Sequence, residues 1–415
     1  MSITFIVAIS VAVFLSVIAI LVTLLLYAKT KLMPGGSVRL LINSEKELIV
    51  EPGSSLLTTL SNQKIFLPSA CGGGGTCGLC TCRVVLGGGQ ILPTETVFFT
   101  RKQQQRQWRL GCQVKVKEDM EIEVHEEILG VKKWECEVVS NRNVATFIKE
   151  FVVKLPPEET LSFKSGGYIQ IDVPKCEVHF RRDIEVEQEY QEDWDQMKIW
   201  DLQMKNAEPT FRAYSMANHP EEGNVVILNI RIATPPWDRA KGGFMKVNPG
   251  ICSSYLFSRK PGDKVTVSGP YGEFFLRDTN SEMMFIGGGA GMAPMRSHIF
   301  HLFHTLKSPR KVSFWYGARS KRELFYEDDF LLIEKAFPNF SFHIALSEPQ
   351  PSDEWRGFVG FIHQVIYDKY LKNHEAPEDI EYYLCGPPLM TNAVTQMLDN
   401  LGVPGESVLF DDFGS

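Results

Sequence analysis

Cys71-Gly-Gly-Gly-Gly-Thr-Cys77-Gly-Leu-Cys80 is the stretch that decides how this chain folds, and Leu110-Gly-Cys112-Gln113 completes it downstream. A [2Fe–2S] cluster takes four thiolates, commonly three from one loop and a fourth from elsewhere in the fold. Cys71, Cys77, Cys80 and Cys112 form such a set. Glycine tolerates positive φ, which lets a loop wrap a small inorganic core, and close backbone N–H groups favour the negative sulfides. Zinc is the competing reading, since it also takes four thiolates. Its sites usually pair two Cys-x2-Cys knuckles, whereas this chain has one such pair, a third cysteine ahead of it and a glycine run. Cys82 points across the following strand and reads as a buried, structural thiol.

The surrounding composition agrees with a redox protein of several domains. The chain has 415 residues, with 44% hydrophobic and 22% charged, too long for one core. A net charge of −7 gives no sign of a nucleic-acid partner. Nine cysteines in a long chain, four of them crowded into 71–82, point to metal binding in a reducing compartment rather than a disulfide scaffold.

Residues 2–28 carry no charged side chain and are rich in Ile, Val, Leu and Phe. That length suits a transmembrane helix, which needs about 20 apolar residues. A signal peptide would want basic residues before the run; Lys29 and Lys31 follow it instead. Basic residues stay on the cytoplasmic side, so the expectation is a transmembrane helix over 1–30, with the N-terminus periplasmic and the bulk of the chain cytoplasmic at a bacterial inner membrane. Pro34-Gly35-Gly36 reads as a linker.

Three patterns follow. Residues 36–128 read as a small α+β domain: a hairpin over 38–50, a short helix over 56–62, the cysteine loop, and strands at 81–86 and 120–124. Residues 130–277 read as an antiparallel β-barrel, with runs at 135–139, 148–154, 168–173, 225–232 and 264–268. The polar, acidic stretch 177–209, which includes Trp194 and Trp200, interrupts it. It reads as a solvated insertion, with a docking surface for a partner protein as the alternative. From 281 to 415, strands at 283–286, 312–316, 341–345 and 382–385 alternate with helical stretches, which implies an α/β parallel sheet that binds a dinucleotide.

The cysteine loop resembles a plant-type ferredoxin, except that five residues rather than four separate its first two cysteines. Arg212-Ala-Tyr214-Ser215-Met-Ala-Asn218 resembles the flavin fingerprint of the ferredoxin–NADP+ reductase superfamily. The resemblance implies that Arg212 pairs with the FAD pyrophosphate, that Tyr214 stacks on the flavin, and that Ser215 hydrogen-bonds near N5, where the hydride arrives. Gly166-Gly167-Tyr168 resembles a turn of that domain, with Ser165 in place of proline. Gly250-Ile-Cys252-Ser253 resembles its second phosphate-binding segment, and this segment together with Arg212 favours FAD over FMN. Gly287-Gly288-Gly289-Ala290-Gly291-Met-Ala-Pro294 follows a strand and opens a helix, an arrangement suited to a diphosphate. It matches the superfamily's Gly-x-Gly-x-x-Pro turn. Cys385-Gly386-Pro387 matches the other nicotinamide motif, with the cysteine near the reacting ring. Phe413 is the candidate for the terminal aromatic that shields the flavin. The basic run Arg319-Ser-Lys321-Arg322 stands where a 2′-phosphate would bind, but the resemblance implies NADH.

The whole chain resembles the F-subunit family of Na+-translocating NADH:quinone reductases. Shared features are the N-terminal run, the five-residue spacing, the acidic insertion and the Asp411-Asp-Phe-Gly ending. The resemblance implies an NADH dehydrogenase subunit in which FAD and a [2Fe–2S] cluster pass electrons to other membrane subunits, with ubiquinone reduced and sodium exported by the complex. An uncharged span holds no ion path, which puts sodium transport in those partners. The rival readings are a reductase component serving an oxygenase, which would share the modules, and an inactive membrane scaffold, which would have lost the ligands.

Overall fold

The computed structural model describes residues 3–32, 36–238, 240 and 242–411. The chain divides into two compact units, Met1–Ser69 with Gly73–Gly130, and Ala70–Gly72 with Val131–Ser415.

The first unit begins with helix Ile3–Leu32. Among the described residues, no helix is long and apolar enough to cross a membrane. The expected single-pass anchor, with its inner-membrane localisation and periplasmic N-terminus, is corrected accordingly.

A five-stranded mixed sheet follows. The hairpin Val38–Ile42 with Lys46–Val50 forms as expected, and Val38–Ile42 also pairs in parallel with Met120–Glu123. Thr81–Leu86 runs antiparallel to both Met120–Glu123 and Trp108–Leu110. Helix Leu56–Asn62 is capped by the Ser55 hydroxyl, which accepts from the Thr58 N–H at 3.2 Å. Its Leu56, Leu57 and Leu60 are buried.

The second unit holds two larger sheets. One has six antiparallel strands, from Thr210–Ser215 at one edge through Tyr168–Val173, Lys264–Tyr271, Lys132–Ala145 and Ile148–Lys154 to Val225–Arg231. Its edges touch at a single isolated bridge, Met216 with Leu228, so the expected barrel appears as an antiparallel sheet joined at one point. The other sheet has six parallel strands in the order Phe358–Val359, Phe340–Leu346, Val312–Ala318, Met283–Gly288, Glu381–Cys385, Val408–Phe410. Its four central strands are those expected from the sequence, and they are mostly apolar because helices cover both faces. Met283–Gly288 lies mid-sheet, with the next strand in sequence on one side and Glu381–Cys385 on the other. Ligands of such sheets bind beyond the strand carboxyl ends at this switch point.

The stretch 177–209 is not the solvated insertion that its composition suggests. It folds as the hairpin Cys176–His179 with Gln203–Asn206 around helix Gln188–Gln196. Phe180, Trp194 and Ile199 are fully buried in the core of the antiparallel sheet. Trp194 Nε1 donates to Thr146 O at 2.8 Å, and Lys149 Nζ to Glu185 O at 2.6 Å. The acidic residues face outward while Tyr190 and Trp194, four apart on one helix face, face in.

Candidate functional site

In the first unit, three of the four predicted ligand cysteines act on one another. The Cys80 thiol is raised well above its ordinary range, first by a hydrogen bond with Cys112, then by burial and by the neighbouring Cys112 and Cys77 sulfurs. The Gly111 N–H donates to Cys80 O at 2.7 Å, which ties the downstream cysteine segment to the loop. Gly78 has a φ of +71°, and a Cβ there would lie 2.5 Å from the Phe98 ring, so position 78, just after Cys77, calls for glycine. Cys71 belongs to the segment Ala70–Gly72, which counts with the second unit. Among the described residues, no group of three or more His, Cys, Asp or Glu side chains stands in a metal-holding arrangement. The donor chemistry nevertheless suits an iron–sulfur core. Thiols crowded so that each opposes its neighbour's ionisation gain from a cation that deprotonates them all. Cys82 is fully buried and its thiol is pushed up by burial to about 12, in keeping with a structural role.

Composition did not single out the carboxylate that fixes the strand before Cys112. Glu95 is completely buried. Besides Arg109, it accepts from the Leu110 N–H at 2.9 Å and the Leu92 N–H at 2.9 Å. Arg109 also donates to Gly88 O at 2.6 Å.

In the second unit, the predicted flavin residues lie on edge strand Thr210–Ser215. Arg212 Nη1 donates to Phe211 O at 2.7 Å and to the Thr210 hydroxyl at 3.1 Å. Tyr214 is held well above its usual range, first by burial and then by the Cys252 thiol, to which it is hydrogen-bonded. Burial pushes Cys252 itself up to about 12. Strand and phosphate-segment candidates therefore meet at Tyr214 and Cys252. Gly250 caps helix Ile251–Phe257. The Ser253 hydroxyl accepts from the Ala233 N–H at 3.1 Å and donates to Gly250 O at 3.2 Å. Asn218 is wholly buried, and both ends of its amide are taken by backbone: Val225 O at 2.9 Å and the Ile227 N–H at 2.9 Å. A guanidinium, a phenol and a hydroxyl in one short strand fit a flavin dinucleotide by their chemistry.

The predicted nicotinamide residues come together at the carboxyl ends of two parallel strands. Gly287 is the register neighbour of Cys385. A Cβ on Gly291 would lie 2.1 Å from Cys385 O, and one on Gly288 would lie 3.3 Å from the Pro387 ring. Gly291 is thus demanded by close approach to the Cys385-Gly386-Pro387 segment, while a Cβ on Gly288 would meet Met390 Sδ first, at 2.8 Å. Pro294 sits in the first turn of helix Met292–Phe300, where a missing N–H costs nothing. Beside this turn lies a cavity of about 640 Å³. Gly289, Tyr316, Arg319, Glu348 and Pro387 line it from the parallel-sheet side, and Phe147, Arg231 and Thr234 from the antiparallel sheet.

The two halves join at Asp411. The Ser215 hydroxyl donates to the Asp411 carboxylate, and the Asp411 N–H donates to Leu384 O at 3.1 Å, beside Cys385. Phe413 lies outside the described residues.

Fold and site together define an oxidoreductase with an iron–sulfur module, a flavin module and a nicotinamide module in one chain. Residues 41–117 match the family model of the 2Fe-2S iron-sulfur cluster binding domain. Residues 197–276 match the oxidoreductase FAD-binding domain, and 285–396 the oxidoreductase NAD-binding domain. The chain is 55% identical over 401 residues to the F-subunit of the Na(+)-translocating NADH-quinone reductase of Methylococcus capsulatus, covering 97% of both chains. It is 54% identical over 405 residues to the F-subunit of the same name in Pseudomonas aeruginosa, covering 98% of both. The chain belongs to the F-subunit family of the Na(+)-translocating NADH-quinone reductases. Among solved structures, a cytochrome P450 reductase from Amycolatopsis shares the fold with a TM-score of 0.61 at 22% identity, covering 91% of this chain and 98% of that one. The ferredoxin reductase in carbazole 1,9a-dioxygenase does so with a TM-score of 0.59 at 24% identity and the same coverage.

Proposed function

We propose that this chain is the electron-input subunit of a Na+-translocating NADH:ubiquinone reductase, accepting a hydride from NADH and sending electrons singly to partner subunits that reduce the quinone and export sodium. The observation that carries this reading is the convergence on Asp411: one carboxylate holds Ser215 of the flavin strand, and its own N–H bonds the strand that ends in Cys385.

FAD, when bound, supplies a two-electron acceptor that releases electrons one at a time, and the [2Fe–2S] cluster a one-electron carrier. The chain's own residues bind, orient and shield. In this reading, Gly287, Gly288, Gly289 and Gly291, with Pro294, admit the NADH diphosphate, while Cys385, Gly386 and Pro387 pack the nicotinamide. Arg212, Gly250, Cys252 and Ser253 hold the FAD diphosphate side. Tyr214 stacks, Asn218 sets the strand's exit through backbone contacts, and the Ser215 hydroxyl, its proton given to Asp411, hydrogen-bonds near N5 through its oxygen. Phe413 is assigned from sequence to cover the flavin. Cys71, Cys77, Cys80 and Cys112 are the proposed cluster ligands. The domains are read as 36–128, 130–277 and 281–415, the second being a barrel closed at Met216 and Leu228.

The test is an anaerobic NADH titration of the purified chain with flavin bands and EPR recorded together. The reading expects flavin bleaching followed by a one-electron [2Fe–2S] signal that Cys77→Ala abolishes. Flavin reduction with no cluster signal in iron-replete protein would return the cysteine loop to zinc. Protein without flavin would revive the inactive scaffold.

A further inference from the structure

The acidic segment 177–209 reaches the dinucleotide cavity. Met197 and Ile199 line the cavity opposite Arg319 and Glu348. From the same segment, Asp193 pairs with Arg322 at 3.1 Å, Glu189 O accepts from the Arg322 guanidinium, and the Tyr190 ring lies under it at 5.7 Å. Arg322 belongs to the one basic run placed to meet a 2′-phosphate, and the run's other arginine, Arg319, pairs with Glu348 at 3.0 Å. A 2′-phosphate is held best by a guanidinium fork that is free to meet two of its oxygens, with a lysine such as Lys321 acting only as a point charge. Here one arginine faces a carboxylate at the cavity wall and the other is drawn onto the insertion.

We propose that the insertion 177–209 is a working part of the nicotinamide dinucleotide site: its Met197 and Ile199 close the cavity, and its Asp193 and Glu189 occupy Arg322, so that the site selects the dinucleotide lacking a 2′-phosphate. This rests on the reading that the cavity takes NADH. It accounts for an arginine-rich run in a site for the unphosphorylated cofactor. It also explains why a stretch so acidic on its surface has a buried aromatic core: the segment must be rigid to hold Arg322 away from the cavity.

The test compares kcat/KM for NADH and NADPH in anaerobic flavin reduction by the whole chain. Exposed ion pairs are worth up to about 1 kcal/mol, which is about fivefold, so Asp193→Asn is expected to lower the NADH-over-NADPH preference about two- to fivefold. Combining it with Glu348→Gln is expected to lower the preference about tenfold or more, and adding Arg322→Ala to Asp193→Asn is expected to remove the gained NADPH use. Met197→Ala reads the cavity wall separately, through a several-fold rise in the KM for NADH with kcat kept. All four side chains are at least partly exposed, and dithionite-reducible flavin content reports whether each variant is intact. Preference and KM within twofold of the parent in every intact variant would overturn the inference while leaving the reading of the site in place. A parent chain whose flavin is bleached by dithionite but not by NADH would instead overturn that reading, and the inference with it.

Discussion

Glu95 grips Arg109 inside the first unit: Oε1 accepts from Nε at 3.0 Å and Oε2 from Nη2 at 2.8 Å, with both side chains almost wholly out of water. Arg109 is the middle residue of strand Trp108–Leu110, which leads through Gly111 to Cys112. Removing one partner of such a pair leaves an uncompensated buried charge, which costs about 3–5 kcal/mol. Glu95→Gln is therefore expected to lower the unfolding midpoint of the first unit and to reduce cluster occupancy, measured as EPR spin count per chain. Burial alone would raise the Glu95 carboxyl, but Arg109 and the two N–H donors more than offset it, leaving a net lowering. The stability it provides is present above the unfolded carboxylate range and lost as pH falls through the depressed value. A variant with parental spin count and an unchanged acid limb would show that Glu95 does not hold Cys112.

Ser215 and Asp411 give the second prediction. Ser215→Ala removes the hydroxyl proposed to face N5, and Asp411→Asn removes the charge that takes its proton. Hydrogen bonds to charged groups are worth about 1.5–3 kcal/mol, so NADH-driven flavin bleaching in the stopped flow is expected to slow about 10- to 100-fold in Ser215→Ala. Flavin content and dithionite reduction should be unchanged. Asp411→Asn should slow it less, because the hydroxyl remains. Equal, parental rates in both would remove Ser215 from the transfer step.

The sequence made some of this site readable and hid the rest for physical reasons. Glycine turns and cysteine loops are legible because few residue types meet their geometry: Gly291 has Cys385 O where a Cβ would be, and Gly78 has Phe98. The four central parallel strands were legible because they are largely buried and mostly apolar, whereas the short edge strands Phe358–Val359 and Val408–Phe410 are half exposed and were not. Strand Thr210–Ser215 was not legible as a strand, since Phe211-Arg-Ala-Tyr214 shows no clean alternation; its residues entered only as a motif. The insertion misled because a short acidic helix hides two inward aromatics among charges, although the Tyr190–Trp194 spacing was a usable signal. Glu95 and Glu348 had none, and Asp411 entered only as part of the chain's Asp-Asp-Phe-Gly ending: a single carboxylate in a polar loop is read correctly only when its partner, far off in sequence, is known.

His298 sets an acid limit on the second unit. It is fully buried among Phe274, Phe285 and Tyr383, with Nδ1 3.2 Å from the Ser165 hydroxyl. Burial, with a smaller push from His301, lowers its pKa to about 3. The unfolded chain binds a proton below about 6.5 that the folded chain refuses. Stability is expected to fall as pH drops from there toward 3, by up to about 1.4 kcal/mol per pH unit from this group. Urea unfolding at a series of pH values should show His298→Gln, which cannot take up that proton, with a shallower acid slope than the parent. Parallel slopes would place the acid sensitivity elsewhere, with His301, His304 and His343, whose burial lowers them in the same sense, as the alternatives.

Arg296 ties the nicotinamide helix to the flavin strand's exit. From helix Met292–Phe300 its Nη2 reaches Glu222 Oε1 at 2.7 Å, while Nη1 reaches Oε2 at 2.8 Å and Ala217 O at 2.9 Å. The guanidinium lies 4.1 Å from the Phe300 ring centre. Next along the helix, the Ser297 hydroxyl donates to Asn218 O at 2.8 Å. Two sheets that must present their ligands to each other are thus pinned within a few residues of both motifs. Only a planar fork meets two carboxylate oxygens and a carbonyl while stacking on a ring, so lysine is not a conservative substitute here. Arg296→Lys is expected to cost about 1–3 kcal/mol, because Ala217 O or one Glu222 oxygen loses its donor in a buried place, and Arg296→Met about 3–5 kcal/mol. Flavin release on heating, followed by fluorescence, should come earlier in both and in that order. A double-mutant cycle with Glu222→Gln separates the pair from the helix. If Arg296→Met and Glu222→Gln add without coupling, the clamp is not acting as an ion pair, and the registration of the two sheets rests on Ser297 and the packing around His298.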